Sequence, residues 1–392
     1  MKKLLSVIFA ILMMTSILFS AVSCGENPAG PNAGQPQTSG VADINDGKFR
    51  VALLINGDLG DMSFWDSANE GMLRFQKDHP ETDVKIVEMG SSDPTVYEST
   101  LAKTAAEAYD LIIVGTTDMR EPLQRLVKKE KYADRRFVIF DTEIKDGKAA
   151  DYKTVHSIMF NQNEGGYLAG VLASLMSLDA GSANTAFIGG APNDIINDFA
   201  SGFMQGVRAV NAERSASIGA FHSFIGDFSD SPKGKSLAET YYSGNDVSVL
   251  FAAASQAGIG CVEAAALTGH TIIGVDSDQY AFYKDSNPAK AAAIVTSIEK
   301  RVGDTLYEVC ERFMADTLTY GDLEVLGIKD GKIGYVDNDN FKALVSEENR
   351  AHLADVAAKI ASGELKIESG LKRYTTSAEL TALYDSLDPT KK

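Results

Sequence analysis

Three acidic residues, Asp118, Asp141 and Asp276, each stand at or just past the end of an apolar run of strand length. Carboxylates gathered at strand ends can accept hydrogen bonds from hydroxyl or N–H groups of a ligand. Each charge-assisted bond contributes roughly 1.5–3 kcal/mol. A turn or helix-cap role is the plainer alternative for any one of them. Asp276-Ser277-Asp278-Gln279 is denser in polar groups than a turn needs, and Lys300, shortly after Thr296-Ser297, is within reach of the same place. Otherwise Lys300 is a solvated helix lysine. A fourth group lies in Gly57-Asp58-Leu59-Gly60-Asp61-Met62-Ser63-Phe64-Trp65, which combines acidic residues, a cap hydroxyl and the only Trp of the chain. Asp61 or Ser63 can cap the following helix, whose free N–H groups then favour polar or anionic ligand atoms. Phe64 and Trp65 bring flat apolar faces to the same mouth, although an aromatic there can also plug the space beneath the helix.

The element before this loop is the apolar run Val51–Ile55, and the element after it is helical, so the loop sits at the carboxyl end of a first strand. Open parallel sheets bind ligands at such ends. Apolar runs at 84–89, 111–114, 136–141 and 156–160 alternate with helical patterns, and the rhythm restarts after a helix over 163–177, with strands at 185–190, 218–222, 247–253 and 271–276. This predicts an α/β protein of two similar lobes with parallel sheets and a cleft between them. The expected division is residues 48–160 plus 280–318 for lobe 1, 161–279 plus 319–345 for lobe 2, and a C-terminal helical segment over 346–392. The segment 292–314 is expected to cross back to lobe 1, and Lys329-Asp330-Gly331-Lys332 to turn a hairpin.

Catalytic patterns are missing. The five His are scattered, with no HExxH, no GxSxG and no phosphate-binding Walker loop. Gly258-Ile259-Gly260 follows a strand but lacks the third glycine of a dinucleotide turn, so close packing at a helix start is the reading there. Gly258 stays among the candidate ligand-binding residues. Asp337-Asn338-Asp339-Asn340 lacks the glycine and distal Glu of a calcium loop. No metal, cofactor or enzymatic activity is expected. Cys261 and Cys310 lie far apart in helical patterns and read as buried thiols.

The chain has 392 residues, 44% hydrophobic and 23% charged, enough for two cored lobes, and its formal charge of −17 disfavours nucleic acid as a partner. Lys2 and Lys3, an apolar stretch to Phe19, and the small residues before Cys24 mark an export leader. Ala21-Val22-Ser23-Cys24 is similar to a bacterial lipobox, which implies lipidation at Cys24, with plain secretion or a retained anchor as alternatives. Residues 25–47, rich in Gly, Pro, Asn, Gln and Ser, read as a flexible tether. The expected location is extracytoplasmic, lipid-anchored to a cell membrane on its periplasmic or cell-surface face.

Four segments, in order, resemble the basic membrane protein lipoproteins, substrate-binding proteins of ABC transporters whose best understood members are purine nucleoside receptors. They are Gly60–Ala68, similar to an opening Asp-x-Ser-Phe-Asn loop; Asn163–Gly170, similar to a Glu-Gly-Tyr-Leu-Ala-Gly helix; Gly274–Gln279; and Thr296–Val302, similar to a Thr-Ser-x-x-Lys-Arg-Val element. The resemblance implies a type I periplasmic binding fold with three hinge crossings, a nucleoside in the cleft, and an ABC permease and ATPase as partners of a monomeric receptor. By position it implies that Asp276 and Lys300 hold ribose hydroxyls, that Phe64 (or Trp65) and Phe199 sandwich the base, that Asp118 bonds the base edge and that Asp61 shapes the first-lobe side. Trp65 departs from the pattern, standing where the family has Asn. A receptor for another small solute, a nucleoside-processing enzyme and a surface adhesin remain as alternatives.

Overall fold

The computed structural model describes residues 47–391, apart from Ser92, Asp146, Gly147, Arg373 and Tyr374. The export leader, Cys24 and nearly all of the tether lie outside the described residues. In chain order the elements are β1 (Arg50–Ile55), α1 (Phe64–Asp78), β2 (Asp83–Glu88), α2 (Pro94–Ala106), β3 (Leu111–Gly115), α3 (Arg120–Val127), β4 (Arg136–Phe140) and β5 (Val155–Phe160). There follow α4 (Gln162–Ala180), β6 (Asn184–Gly189), α5 (Asp194–Arg214), β7 (Gly219–Phe224), α6 (Ser231–Gly244), β8 (Val247–Ala253), α7 (Ser255–Thr268) and β9 (Thr271–Asp276). The chain ends with α8 (Gln279–Tyr283), α9 (Pro288–Ala293), β10 (Ile294–Lys300), α10 (Val302–Met314), β11 (Asp322–Leu326), β12 (Ile333–Tyr335), α11 (Asp339–Leu344), α12 (Glu347–Ala361) and α13 (Ser377–Leu387).

Among the described residues these strands form two six-stranded sheets, ordered β11-β5-β4-β3-β1-β2 and β12-β10-β9-β8-β6-β7. All pairings are parallel except β10–β12. The apolar runs become central strands because helices cover both faces of each sheet, so that Val51–Ile55 and Leu111–Val114 are fully buried. The two α/β lobes with parallel sheets expected from the strand rhythm are present, in the type I periplasmic binding architecture that the resemblance implies.

The chain crosses between lobes three times, near Asn161, Arg301 and residues 327–332. These crossings bond to one another: the Asn161 N–H donates to the Leu326 carbonyl at 2.8 Å, the Arg301 N–H to the Lys332 carbonyl at 2.9 Å, and the Ile328 N–H to the Glu164 carboxylate at 2.7 Å. Their position differs from the division expected over 280–345. Residues 280–300 belong to the second lobe, because β10 pairs with its sequence neighbour β9, while 302–326 belong to the first. There α10 lies so tightly on α1 that a Cβ at Gly71 would come within 2.2 Å of the Gly303 carbonyl oxygen. The turn at Lys329–Lys332 therefore links two sheets and closes no hairpin. The C-terminal helices do not stand apart: Leu353, Val356, Leu380 and Tyr384 join the second lobe's core.

Candidate functional site

The carboxyl ends of the strands in both sheets face each other across the cleft and enclose a cavity of about 240 Å³. The candidate ligand-binding residues Phe64, Trp65, Asp118, Phe199, Asp276 and Lys300 line it together. Asp141, one of the three acidic strand ends, lines it too. Asp61 and Ser63 stand behind the wall, and Gly258 lies away from it.

The polar pole is built across the lobes. Lys300, at the end of β10, donates from Nζ to Asp141 Oδ1 at 2.8 Å, and both groups are buried. Asp276, at the end of β9, accepts from the Ser63 hydroxyl at 2.5 Å. Burial pushes the Asp276 carboxyl up to about 6; the Lys300 charge and the Ser63 bond pull it down, and Asp61 and Asp141 push it further up. Burial also raises Asp141, against the pull of Lys300. Lys300 has donors beyond the one given to Asp141, and Asp276 receives a single side-chain hydroxyl, so both retain capacity for a ligand. Thr116, Asp141, Ser255 and Asp276, all lining the cavity, have left-handed backbones with φ of +69°, +58°, +50° and +66°. Such strain in non-glycine residues amounts to about 1–3 kcal/mol each and gathers at ligand sites.

The apolar flank is aromatic. The Phe64 and Phe199 ring centroids lie 4.8 and 5.5 Å from the same Lys300 ammonium, one ring from each lobe. Phe64 stacks on Phe140 behind it, with centroids 5.6 Å apart and 24° between planes, and Trp65 meets both rings edge-on. The indole lies over Gly57, where any Cβ would come 2.2 Å from Nε1. Phe199 is fixed by the contact of α4 with α5: a Cβ at Gly166 would lie 2.1 Å from the Phe199 carbonyl oxygen. The glycines of the Asn163–Gly170 motif thus position a cavity ring without touching the cavity.

Several expectations change. Ser63 occupies the N-cap position of α1 but its side chain caps nothing, since the hydroxyl goes to Asp276. Asp61 does the capping: its carboxylate accepts from the N–H groups of Ser63, Trp65 and Asp66 at 3.0–3.1 Å and from the Ser255 hydroxyl at 2.7 Å. The helix N–H groups expected to be free for a ligand are occupied by this carboxylate. Gly258 is one turn into α7, against the methyl groups of Ala252 and Ala254, and Ser255 at the start of that helix reaches the cavity instead. The sequence reading did not mark Asn56, Asn193, Phe228 or Ser255. Asn193 carries a legible signal, as the cap of α5 accepting from the Ile196 N–H at 2.9 Å. The Asn56 amide nitrogen donates to the Thr116 hydroxyl at 2.9 Å, while its buried oxygen has no partner among the described residues. Cys261 and Cys310 are separate buried thiols, and no cluster of metal-ligating side chains occurs among the described residues.

A family model described as ABC transporter substrate-binding protein PnrA-like matches residues 48–370. Basic membrane protein B of Borreliella burgdorferi is 30% identical over 303 residues, covering 76% of this chain and 83% of that protein. Among solved structures, an ABC transporter solute-binding protein from Aeropyrum pernix superposes with a TM-score of 0.73 at 21% identity, covering 86% of this chain and 98% of the other. A solute-binding protein from Conexibacter woesei superposes with a TM-score of 0.65 at 23% identity, covering 82% and 99%.

Proposed function

Because the chain belongs to the PnrA-like family of ABC transporter substrate-binding proteins, we propose that its cleft takes a nucleoside, with a purine as the expected base, and hands it to a membrane permease and its ATPase for uptake. The family model describes substrate-binding proteins, and the Aeropyrum pernix and Conexibacter woesei structures are solute-binding proteins. The observation that carries the nucleoside reading is the division of one cavity into two chemistries. At one pole a lysine and two carboxylates from opposite lobes are suited to vicinal hydroxyls, and on the flank two phenyl rings from opposite lobes are suited to a flat heterocycle.

In this reading Asp276 accepts from ribose hydroxyls while Lys300, held by Asp141, donates to them. Phe64 and Phe199 take the two faces of the base, and Asp118 with the unpartnered Asn56 oxygen accepts from its edge. Closure follows from contacts that exist only when both lobes reach the solute. The receptor acts as a monomer tethered outside the cytoplasmic membrane through a lipidated Cys24.

The test is calorimetry of the exported portion, starting near Lys48 and refolded to strip carried solute, against adenosine, guanosine, inosine, cytidine and uridine. The expected result is sub-micromolar binding of at least one purine nucleoside, loss of that binding in Asp276→Ala, and a change in the emission of Trp65. Absence of heat with all five nucleosides would end the nucleoside assignment and leave the family and fold untouched.

A further inference from the structure

Beyond α12 the chain returns to the cleft as a strap. Residues 367–370 run along the second lobe, bonded at every step. The Asn163 amide donates to the Ile367 carbonyl at 2.9 Å, and Gln205 donates to the Glu368 carbonyl at 2.8 Å and accepts from its N–H at 3.1 Å. The buried carboxylate of Asp198, next to the cavity ring Phe199, accepts from the Ser369 hydroxyl at 2.8 Å and from the Gly370 N–H at 2.6 Å. Gly370 sits so close to α5 that a Cβ there would lie 2.8 Å from the Asn197 carbonyl oxygen. Beyond the strap, α13 is pinned to the same lobe through buried Leu380 and Tyr384.

Between these two anchors Leu371 leaves the second lobe's core. It is buried in a separate small cluster with Ile195, at the start of α5, and Met159, in β5 of the first lobe, and Leu323 of β11 packs against them. Ile195 also lines the ligand cavity. One small apolar cluster beyond the three crossings therefore joins the strap, the first lobe and the wall of the cavity. The match to the family model stops at residue 370, so this contact is read from the packing of this chain alone.

We propose that Leu371 is a positioning residue for solute retention: a strap anchored on the second lobe holds Met159 of the first lobe and Ile195 of the cavity wall together in the closed cleft. Opening separates Met159 from Leu371 and exposes apolar surface, which opposes opening. Encounter with the solute happens in the open form, where the contact does not exist. The strap therefore acts mainly on dissociation; association rises only by the gain in the open population, at most about twofold where half of the solute-free protein is already open. The inference rests on closure over a solute and not on which solute is bound.

Two measurements test it. In stopped flow with adenosine as the probe and Trp65 emission as the signal, Leu371→Ala is expected to raise koff by about tenfold and leave kon within about twofold, and Leu371→Met to restore koff. The second needs no solute. Spin labels on Lys129→Cys and Thr240→Cys, exposed positions on the two lobes, report the interlobe distance while the buried native thiols stay unlabelled. Leu371→Ala should shift that distribution to longer distances, and Leu371→Met should leave it as in the parent. An unchanged distribution in Leu371→Ala, or a koff equal to that of the parent, would overturn the strap. If the parent fails to bind adenosine, the kinetic measurement uses whichever of the five nucleosides binds; if none binds, the nucleoside reading falls and the distance measurement alone decides this one.

Discussion

Asp61 in the first lobe and Asp276 in the second are both buried, both with carboxyls raised by burial, yet they are used in opposite ways. Asp61 accepts from three backbone N–H groups, that of Ser63 and those of Trp65 and Asp66 in the first turn of α1, and from Ser255 of the opposite lobe, which fills its acceptor sites. Asp276 accepts from the Ser63 hydroxyl, lines the cavity and lies near a lysine paired elsewhere. The difference teaches where a ligand can bind. An acidic residue at a cleft becomes a contact only when the protein leaves part of its hydrogen-bonding capacity unfilled, and residue type alone does not reveal that.

The largest effect is expected from erasing the cation that the polar pole is built around. Lys300→Met leaves Asp141 buried with no partner at 2.8 Å and removes the charge that holds Asp276 down. Breaking a buried pair from one side costs about 3–5 kcal/mol. Chemical denaturation of the ligand-free protein at pH 7.5 should show a loss of that size, and solute binding should vanish. A change under about 1 kcal/mol would mean that Lys300 is solvated and that the pole does not hold together as described.

Asp276→Asn comes next, because it removes a charge without removing bulk. Binding should weaken by about a hundredfold, the loss expected for a charge-assisted bond. The carboxyl of Asp276 lies at about 6, above its ordinary 3.8. A raised carboxyl favours the protonated form in the folded protein, so its contribution to ligand-free stability is fully present below about pH 4 and is lost as pH rises through 6. Solute hydroxyls need the ionised form, so affinity should move the other way, falling as pH drops through 6. Opposite slopes over one pH window, both flattened in Asp276→Asn, are the signature. Parallel slopes in the two proteins would assign the titration to another group, Asp198 being the first to examine, since burial also lifts it to about 6.

The fold was legible in the sequence to the extent that burial follows from composition. Central strands such as Leu111–Val114 are continuous apolar runs, and their alternation with helices leaves few topologies open. The crossing points were harder to read because β10 and α10 follow one another without a break in pattern, and only the pairing of β10 with β9 and the Gly71–Gly303 contact reveal that the chain changes lobe at Arg301. At the site, strand-end acids and the loop aromatics stood out by type and place. Ser255 and Phe228 did not, since a serine opening a helix and a phenylalanine in a loop look ordinary until the other lobe is brought against them. Gly258 was drawn in by its neighbour Gly260, whose need is packing: a Cβ there would come 1.9 Å from the Ser231 carbonyl oxygen.

Gly57→Ala tests whether the aromatic flank depends on its backing. The new methyl would fall 2.2 Å from the Trp65 nitrogen, so the indole must leave its place edge-on to Phe64 and Phe140. A shift of Trp65 emission toward the exposed value and a loss of affinity of about tenfold are expected, at the scale of one to two kcal/mol for a displaced aromatic pair. If emission and affinity both stay as in the parent, the loop adapts and Trp65 carries no positional load.

The smallest effect separates the two jobs of Asp61. Asp61→Asn disturbs both the cap of α1 and the bond to the other lobe, whereas Ser255→Ala removes only the latter. Losing a cap costs about 0.5–2 kcal/mol of stability, whereas the Ser255 bond joins the two lobes, so its loss falls on the closed form and is felt as faster release. Ser255→Ala should therefore unfold at nearly the parent's denaturant midpoint while releasing solute a few times faster, and Asp61→Asn should lower the midpoint as well. The backbone of Ser255 is strained, at φ +50°. That conformation aims its hydroxyl at Asp61, and alanine keeps the strain without the bond. Were Ser255→Gly, which tolerates that φ, to release solute as slowly as the parent while Ser255→Ala releases it fast, the hydroxyl would be holding a strained backbone in place and would not itself be what links the lobes at this point.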